Sequence, residues 1–255
     1  MKILVCGKGG SGKSVLTTLL AKSLARKGFK ILVVDMDESN FGLHRQLGLE
    51  LPKGLIDYLG GRKEAAKKLF STKRGEVFKG KLRIEQIPNE YLAEKDGISL
   101  LAIGKIRSFG EGCACPMGAL ARTFLENLEL AENEMVLVDS DAGVEHFGRG
   151  VEEACSLILA VVDPTYESVR LSSSILRMAE SISKPAYLVL NKVNEDTVNL
   201  LREVVDKDKI LGVIPESREI FKACLKGEEI NLNLREVENL TSKILSILPR
   251  EARKC

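Results

Sequence analysis

The stretch Lys2-Ile3-Leu4-Val5-Cys6, followed at once by Gly7-Lys8-Gly9-Gly10-Ser11-Gly12-Lys13-Ser14, decides the fold. An apolar, β-branched run leads into a glycine-rich loop. Beyond the loop, Val15, Leu16, Leu19, Leu20 and Leu24 recur at helical spacing until Gly28 stops them. Gly7, Gly12, Lys13 and Ser14 match the phosphate-loop pattern, with strand and helix in the required places. The glycines let the backbone curl so that successive N–H groups point at phosphate oxygens. Lys13 can then reach the β- and γ-phosphates, and the Ser14 hydroxyl can ligate Mg²⁺. Residues Gly9, Gly10, Ser11, Gly12, Lys13, Ser14 and Val15 are therefore expected to hold ATP.

Short apolar runs alternate with helical periodicity through all 255 residues. Strands are expected at 31–35, 98–103, 135–139, 157–162, 186–191 and 210–214. Several are apolar at nearly every position, as in a sheet covered on both faces. The alternation predicts an α/β, doubly wound, mainly parallel sheet with helices on both faces, built as one domain over residues 1–255. Ligands of such sheets bind at the carboxyl ends of the strands. Residues 49–89 are the least regular and read as short helices laid on the core. Leu240, Ile244, Leu245 and Leu248 predict a terminal helix packed on the sheet.

With a net charge of +2, the composition implies no general affinity for nucleic acid or membrane. Residues 62–83 are a local exception, with nine Lys/Arg against two Glu, and read first as a solvated helix face and second as a docking patch for an acidic partner. No signal peptide opens the chain, and no apolar run reaches the roughly 18 residues needed to span a bilayer. An ATP loop, together with six cysteines in no disulfide pattern, predicts a cytoplasmic protein.

The second strand ends Asp35-Met36-Asp37, with two carboxylates facing the γ-phosphate side. Met135-Val136-Leu137-Val138-Asp139 is an apolar strand closed by an aspartate, and Asp139 is expected to hold Mg²⁺ through Ser14 and water. Asn191 and Lys192 close another apolar strand, where the Asn191 amide offers both a donor and an acceptor to a purine edge. Elsewhere, Gly112-Cys113-Ala114-Cys115-Pro116 can project two sulfurs to one side of a loop. Thiolates suit Zn²⁺, Cu⁺, Ni²⁺ or an iron–sulfur cluster. Two ligands make half a four-coordinate site, and the same pair from a twofold-related subunit would complete it. Cys6 and Cys155 read as core, Cys224 stands unpaired, Cys255 reads as a tail thiol, and His44 and His146 read as structural.

Lys8 is a second lysine at the tip of a loop already served by Lys13, which is electrostatically costly unless more negative charge arrives. With Lys8 the loop resembles the deviant Walker A signature of the nitrogenase-iron-protein, MinD-type cell-division and arsenite-pump ATPases. The resemblance implies a homodimer sandwiching two ATP molecules, with Lys8 crossing to the partner's nucleotide and Lys8, Lys13 and Asp37 as the catalytic group. In it Asp37 orients the attacking water, Asp35 supports the Mg²⁺ environment, Gly143 belongs to a second switch that senses the γ-phosphate, and Asn191 and Pro215 flank adenine. The role of Asp141 stays open.

The cysteine stretch and residues 142–150 narrow the resemblance to the CooC-type accessory ATPases of nickel-containing carbon monoxide dehydrogenases. That resemblance implies that Cys113 and Cys115 bind Ni²⁺, or Zn²⁺ in its place, across the dimer. It further implies that apo carbon monoxide dehydrogenase is the client. Two alternatives share the loop: an iron–sulfur carrier or reductase of the nitrogenase-iron-protein type, and a MinD/ParA-like positioning ATPase. The second gives no reason for the cysteine pair.

Overall fold

Each central strand divides its side chains between two cores, and this division builds the layers. In β1 (Lys2–Gly7), Ile3 and Val5 join one buried cluster while Leu4 and Cys6 join the other. The same alternation separates Ile31 and Val33 from Leu32 and Val34, and Met135 and Leu137 from Val136 and Val138. A strand apolar at every position must be covered on both faces. The computed structural model describes residues 1–71, 77–78, 80–105, 115–143 and 149–247, without the side chains of Phe70, Ser71 and Cys115.

The described strands form one sheet in the order β3-β4-β2-β5-β1-β6-β7-β8. After β1 come β2 (Lys30–Asp35), β3 (Ala93–Lys95), β4 (Ile98–Ala102), β5 (Glu134–Asp139), β6 (Leu157–Val162), β7 (Ala186–Val193) and β8 (Ile210–Pro215). Every pairing is parallel except β3 with β4. The doubly wound, mainly parallel architecture expected from the alternation is therefore the one observed. The β3 strand is an addition to that expectation. Asp96 and Gly97, at φ 52° and 78°, make the two-residue turn that folds it back on β4.

Helix α1 (Lys13–Arg26) buries Leu16, Leu19, Leu20 and Leu24 against one face of the sheet. The short α2 (Leu43–Leu47) packs beside it. The terminal α9 (Arg235–Ile247) also lies on this face, burying Val237, Leu240 and Ile244 as its spacing predicts. Thr241 of α9 donates to Ser23 Oγ of α1 at 2.9 Å, a buried polar seam between the two helices. The opposite face is covered by α3 (Leu55–Tyr58), α4 (Arg62–Ser71), α5 (Cys115–Asn127), α6 (Tyr166–Ser181) and α7 (Glu195–Val204). The irregular stretch 49–89 thus supplies α3, α4 and a 3-10 turn (Ile84–Gln86), with Leu55, Leu69, Ile84 and Ile87 buried. A short α8 (Arg218–Lys226) follows β8. Among the described residues, no helix is long and apolar enough to cross a membrane.

Phe124 of α5 is fully buried and meets Phe78 edge-on, with ring centroids 6.0 Å apart. Phe124→Ala should cost about 3–5 kcal/mol, the range for emptying a phenylalanine-sized space in a packed core. Urea denaturation of the two proteins measures it, and a loss below about 1 kcal/mol would show that this face is loosely packed.

Candidate nucleotide site

Parallel strands send their carboxyl ends to one edge, so the loops after β1, β2, β5, β6 and β7 converge there. The loop after β1 turns at Gly7, Gly10 and Gly12, with φ of 144°, 80° and 99°. Two of these positions admit no side chain. A Cβ on Gly7 would stand 2.5 Å from the Val161 carbonyl oxygen, and one on Gly12 would overlap Asn191 Nδ2. Ser11 N–H donates to the Lys8 carbonyl at 3.1 Å, closing the turn. Gly143 N–H donates to the Gly7 carbonyl at 3.2 Å, which brings the residues after β5 against the loop.

The loop is braced from β7. Asn191 is buried, and its Nδ2 donates to the Ser11 carbonyl at 2.8 Å. Lys192, at φ 57°, sends Nζ to the Gly10 carbonyl at 2.8 Å. The structure thus brings Asn191 and Lys192 to the phosphate loop, where their donors satisfy the carbonyls of Ser11 and Gly10. Pro215 ends β8 farther along the same edge. There a cavity of about 830 Å³ is lined by Val193, Asn194, Val198, Val213, Pro215 and Phe221.

The residues present fit a nucleotide phosphate. Gly12 begins α1 in a left-handed conformation, and its side-chain position offers no cap to the helix N-terminus. Ser11 Oγ is buried without a hydrogen-bond partner. Uncapped N–H groups and an orphaned hydroxyl are the donors an anion needs. Lys13 is buried beside them, with Nζ 3.3 Å from the Lys8 carbonyl. Lys8 turns away, its Nζ 3.4 Å from Asp163 Oδ2. Burial would raise the Asp163 carboxyl, but hydrogen bonds from Ser168 and Thr165 and the Lys8 charge hold it below the ordinary range.

Asp35 and Asp139 occupy paired register positions on β2 and β5, so their carboxylates are neighbours. Ser14 Oγ donates to Asp139 Oδ2 at 2.6 Å, and Thr17 Oγ1 donates to Oδ1 at 3.3 Å. Asn40 Nδ2 in turn donates to Ser14 Oγ at 2.8 Å. Burial, followed by the nearby Asp35 charge, pushes the Asp139 carboxyl up to about 7. Burial also raises Asp35, to about 6, against the opposing pull of the Lys105 ammonium 2.6 Å away. The Ser14 hydroxyl and the Asp139 and Asp35 carboxylates offer hard oxygen atoms of the kind that suits Mg²⁺. Asp37 lies on the same edge, where its Oδ1 accepts from Ser39 N–H, Ser39 Oγ and Asn40 N–H.

Sequence reasoning missed Lys105, Asn40, Thr17 and Asp163. A charged residue just after an apolar parallel strand was the available signal for Lys105 and Asp163. Asn40 and Thr17 carried none. Asp141 sits at the rim, 3.6 Å from an Arg149 nitrogen. Cys113 and His146 lie outside the described residues, and Cys115 opens α5 with its side chain outside them, so the metal pair is not described. Among the described residues, no group of three or more His, Cys, Asp or Glu is placed to hold a metal ion. Cys6 and Cys155 are buried, and burial pushes both thiols up to about 12, in keeping with core positions.

Residues 2–230 match the CobQ/CobB/MinD/ParA nucleotide binding domain, and the chain belongs to that family. It is 56% identical over 243 residues to an uncharacterized ATP-binding protein of Methanocaldococcus jannaschii, covering 94% of this chain and 98% of that one. It is 33% identical over 235 residues to the carbon monoxide dehydrogenase accessory protein CooC of Rhodospirillum rubrum, covering 89% and 88%. The cell division ATPase MinD of Pyrococcus furiosus shares the fold, with a TM-score of 0.66 at 18% identity, covering 97% of this chain and 99% of that one.

The raised carboxyls give a pH test. Without nucleotide or Mg²⁺, the folded protein keeps a proton on Asp139 up to about pH 7. The unfolded chain releases it near about pH 4. In that window the folded state binds more protons, so stability falls as pH rises. Asp139→Asn should therefore leave Tm unchanged near about pH 4 and raise it by roughly 2–4 °C or more near about pH 8. Differential scanning fluorimetry reads this, and an equal gain at both pH values would contradict it.

Proposed function

We propose that this chain is a homodimeric, cytoplasmic ATPase, working as one domain over residues 1–255, that carries Ni²⁺ and assists its insertion into apo carbon monoxide dehydrogenase. The observation that carries the reading is the 33% identity to CooC along nearly the whole of both chains. The two-lysine loop and the Cys113-Ala114-Cys115 pair add to it.

The phosphate loop would bind the β- and γ-phosphates through its amides and Lys13. Ser14 and Asp139, with Asp35 behind them, would hold Mg²⁺, which neutralises charge on the phosphates. Asp37 uses Oδ1 to fix its own loop and would orient water with the remainder of its carboxylate. Attack of that water on the γ-phosphorus breaks the bond to the β-phosphate oxygen and releases ADP and phosphate. Gly143, already bonded to the loop through the Gly7 carbonyl, would report the γ-phosphate. The apolar cavity beside Pro215 would seat the base, and Asn191 and Lys192 would shape the loop beneath the nucleotide.

Lys8 is apart from Lys13, with nearly a third of its side chain exposed and its charge on Asp163. In a face-to-face dimer it would leave Asp163 for the partner's phosphates. Cys113 and Cys115 of the two subunits would then supply four sulfurs at the dimer axis.

Lys13→Ala should abolish nucleotide binding, whereas Lys8→Ala should keep binding and lose hydrolysis. Fluorescent-nucleotide titration and phosphate release measure the two effects. Equal turnover in wild type and the Lys8 variant would remove the cross-subunit role.

Metal titration with native mass measurement, with and without a non-hydrolysable ATP analogue, should find one Ni²⁺ or Zn²⁺ per dimer. The Cys113→Ser/Cys115→Ser variant should lose it. Unchanged stoichiometry would sink the metal reading, and a brown, iron-bearing dimer would replace it with an iron–sulfur carrier.

A further inference from the structure

Lys105 is the most enclosed ammonium among the described ion pairs: its side chain is 2% exposed, and the Asp35 carboxylate it pairs with is 1% exposed. Its Nζ lies 2.6 Å from Asp35 Oδ2. It also donates to the carbonyl oxygens of Asp37 and Asn40, each at 2.5 Å. An ammonium has three donors, and these three acceptors use them all. The Phe41 ring adds a fourth contact, with its centroid 5.7 Å from Nζ.

The backbone leading to Lys105 is held on both sides. Ile103 N–H donates to the Asp35 carbonyl and its carbonyl accepts from Ile56 N–H, each at 2.9 Å. Gly104 leaves room for Met117, whose sulfur would be 2.7 Å from any Cβ there. Lys105 therefore projects from a fixed point at the end of β4 into the turn after β2.

That turn carries two groups of the nucleotide site. Asn40 bonds Ser14 Oγ, which bonds Asp139, and Asp37 is the residue proposed above to orient water. Both carbonyls gripped by Lys105 belong to these two residues. We propose that Lys105 is a positioning residue that locks residues 37–41 over the phosphate cradle, joining Asp35 to the carbonyls of Asp37 and Asn40. Its effect on turnover rests on the ATPase reading above; its effect on the turn does not.

Two functions of the ammonium are separable. Neutralising Asp35 needs only a charge, whereas holding the turn needs donors aimed at two carbonyls. Lys105→Met keeps the apolar stem and removes both functions, leaving Asp35 buried without its cation. The double variant Lys105→Met/Asp35→Asn removes the stranded charge as well, and should melt near the wild-type temperature.

Asp35 Oδ1 also accepts from Asp37 N–H in the wild type, so the Asp35→Asn single variant is the reference. Compared with it, the double variant should show hydrogen exchange over residues 38–42 quickened by about tenfold or more, while exchange within β2 stays unchanged. Measured against Asp35→Asn, which already lacks that carboxylate, the double variant's ATP turnover should fall by about 100-fold with KM and nucleotide affinity within about threefold, the signature of misplacement rather than lost binding. Unchanged exchange over 38–42 overturns the proposal, whatever the turnover. Turnover in the double variant equal to that of Asp35→Asn also overturns it, because the carbonyl contacts of Lys105 would then contribute nothing. A wild-type protein that binds ATP but never hydrolyses it removes the ATPase reading instead, and the exchange measurement still decides the case for Lys105.

Discussion

Two carboxylates buried side by side impose the constraint on which the site depends. Parallel pairing of β2 and β5 sets Asp35 against Asp139 in register, with both excluded from water. Two such charges cannot share that space uncompensated, and burial raises both carboxyls. The chain compensates them from different directions. Lys105 supplies a cation to Asp35, and the hydroxyls of Ser14 and Thr17 donate to Asp139. Each compensating group belongs to another element, so the demand for neutrality ties β2, β4, β5 and α1 together at the edge where phosphate would sit.

The phosphate loop is held in a comparable way. Curled backbone turns some N–H groups inward, so some carbonyls must point outward and need donors. Asn191 and Lys192 supply them to Ser11 and Gly10, and Gly143 supplies one to Gly7. The loop is thus held in its curled shape by donors from other segments before any anion arrives. Little reorganisation is then needed on binding, which is the advantage of a preformed anion site. Lys8 stands outside this arrangement, with its charge on Asp163 rather than on the loop.

Much of this was legible in one dimension, and for a physical reason. Phosphate loops need glycines at fixed places because backbone must pass where a Cβ would collide, as at Gly7 beside Val161 and Gly12 beside Asn191. Parallel strands buried on both faces need uninterrupted apolar runs, so 31–35 and 157–162 announced themselves. The terminal helix was legible from Leu240 and Ile244 at helical spacing. The β3 strand was overlooked because its residues, Ala93-Glu94-Lys95, carry no apolar pattern; only the Asp96-Gly97 turn marks it.

The chain order by itself determined the sheet, the loop, and which aspartates end which strands, since these follow from local periodicity and from steric needs of the backbone. What only the tertiary structure decided is who neutralises whom. Lys105 meets Asp35 across 70 residues of sequence, Asn40 meets Ser14, and Asn191 meets Ser11, because strand order rather than chain order makes them neighbours. A lysine following an apolar strand looks like any solvated surface lysine until the sheet encloses it. Electrostatic pairing acts through space, and spacing along the chain does not encode that distance.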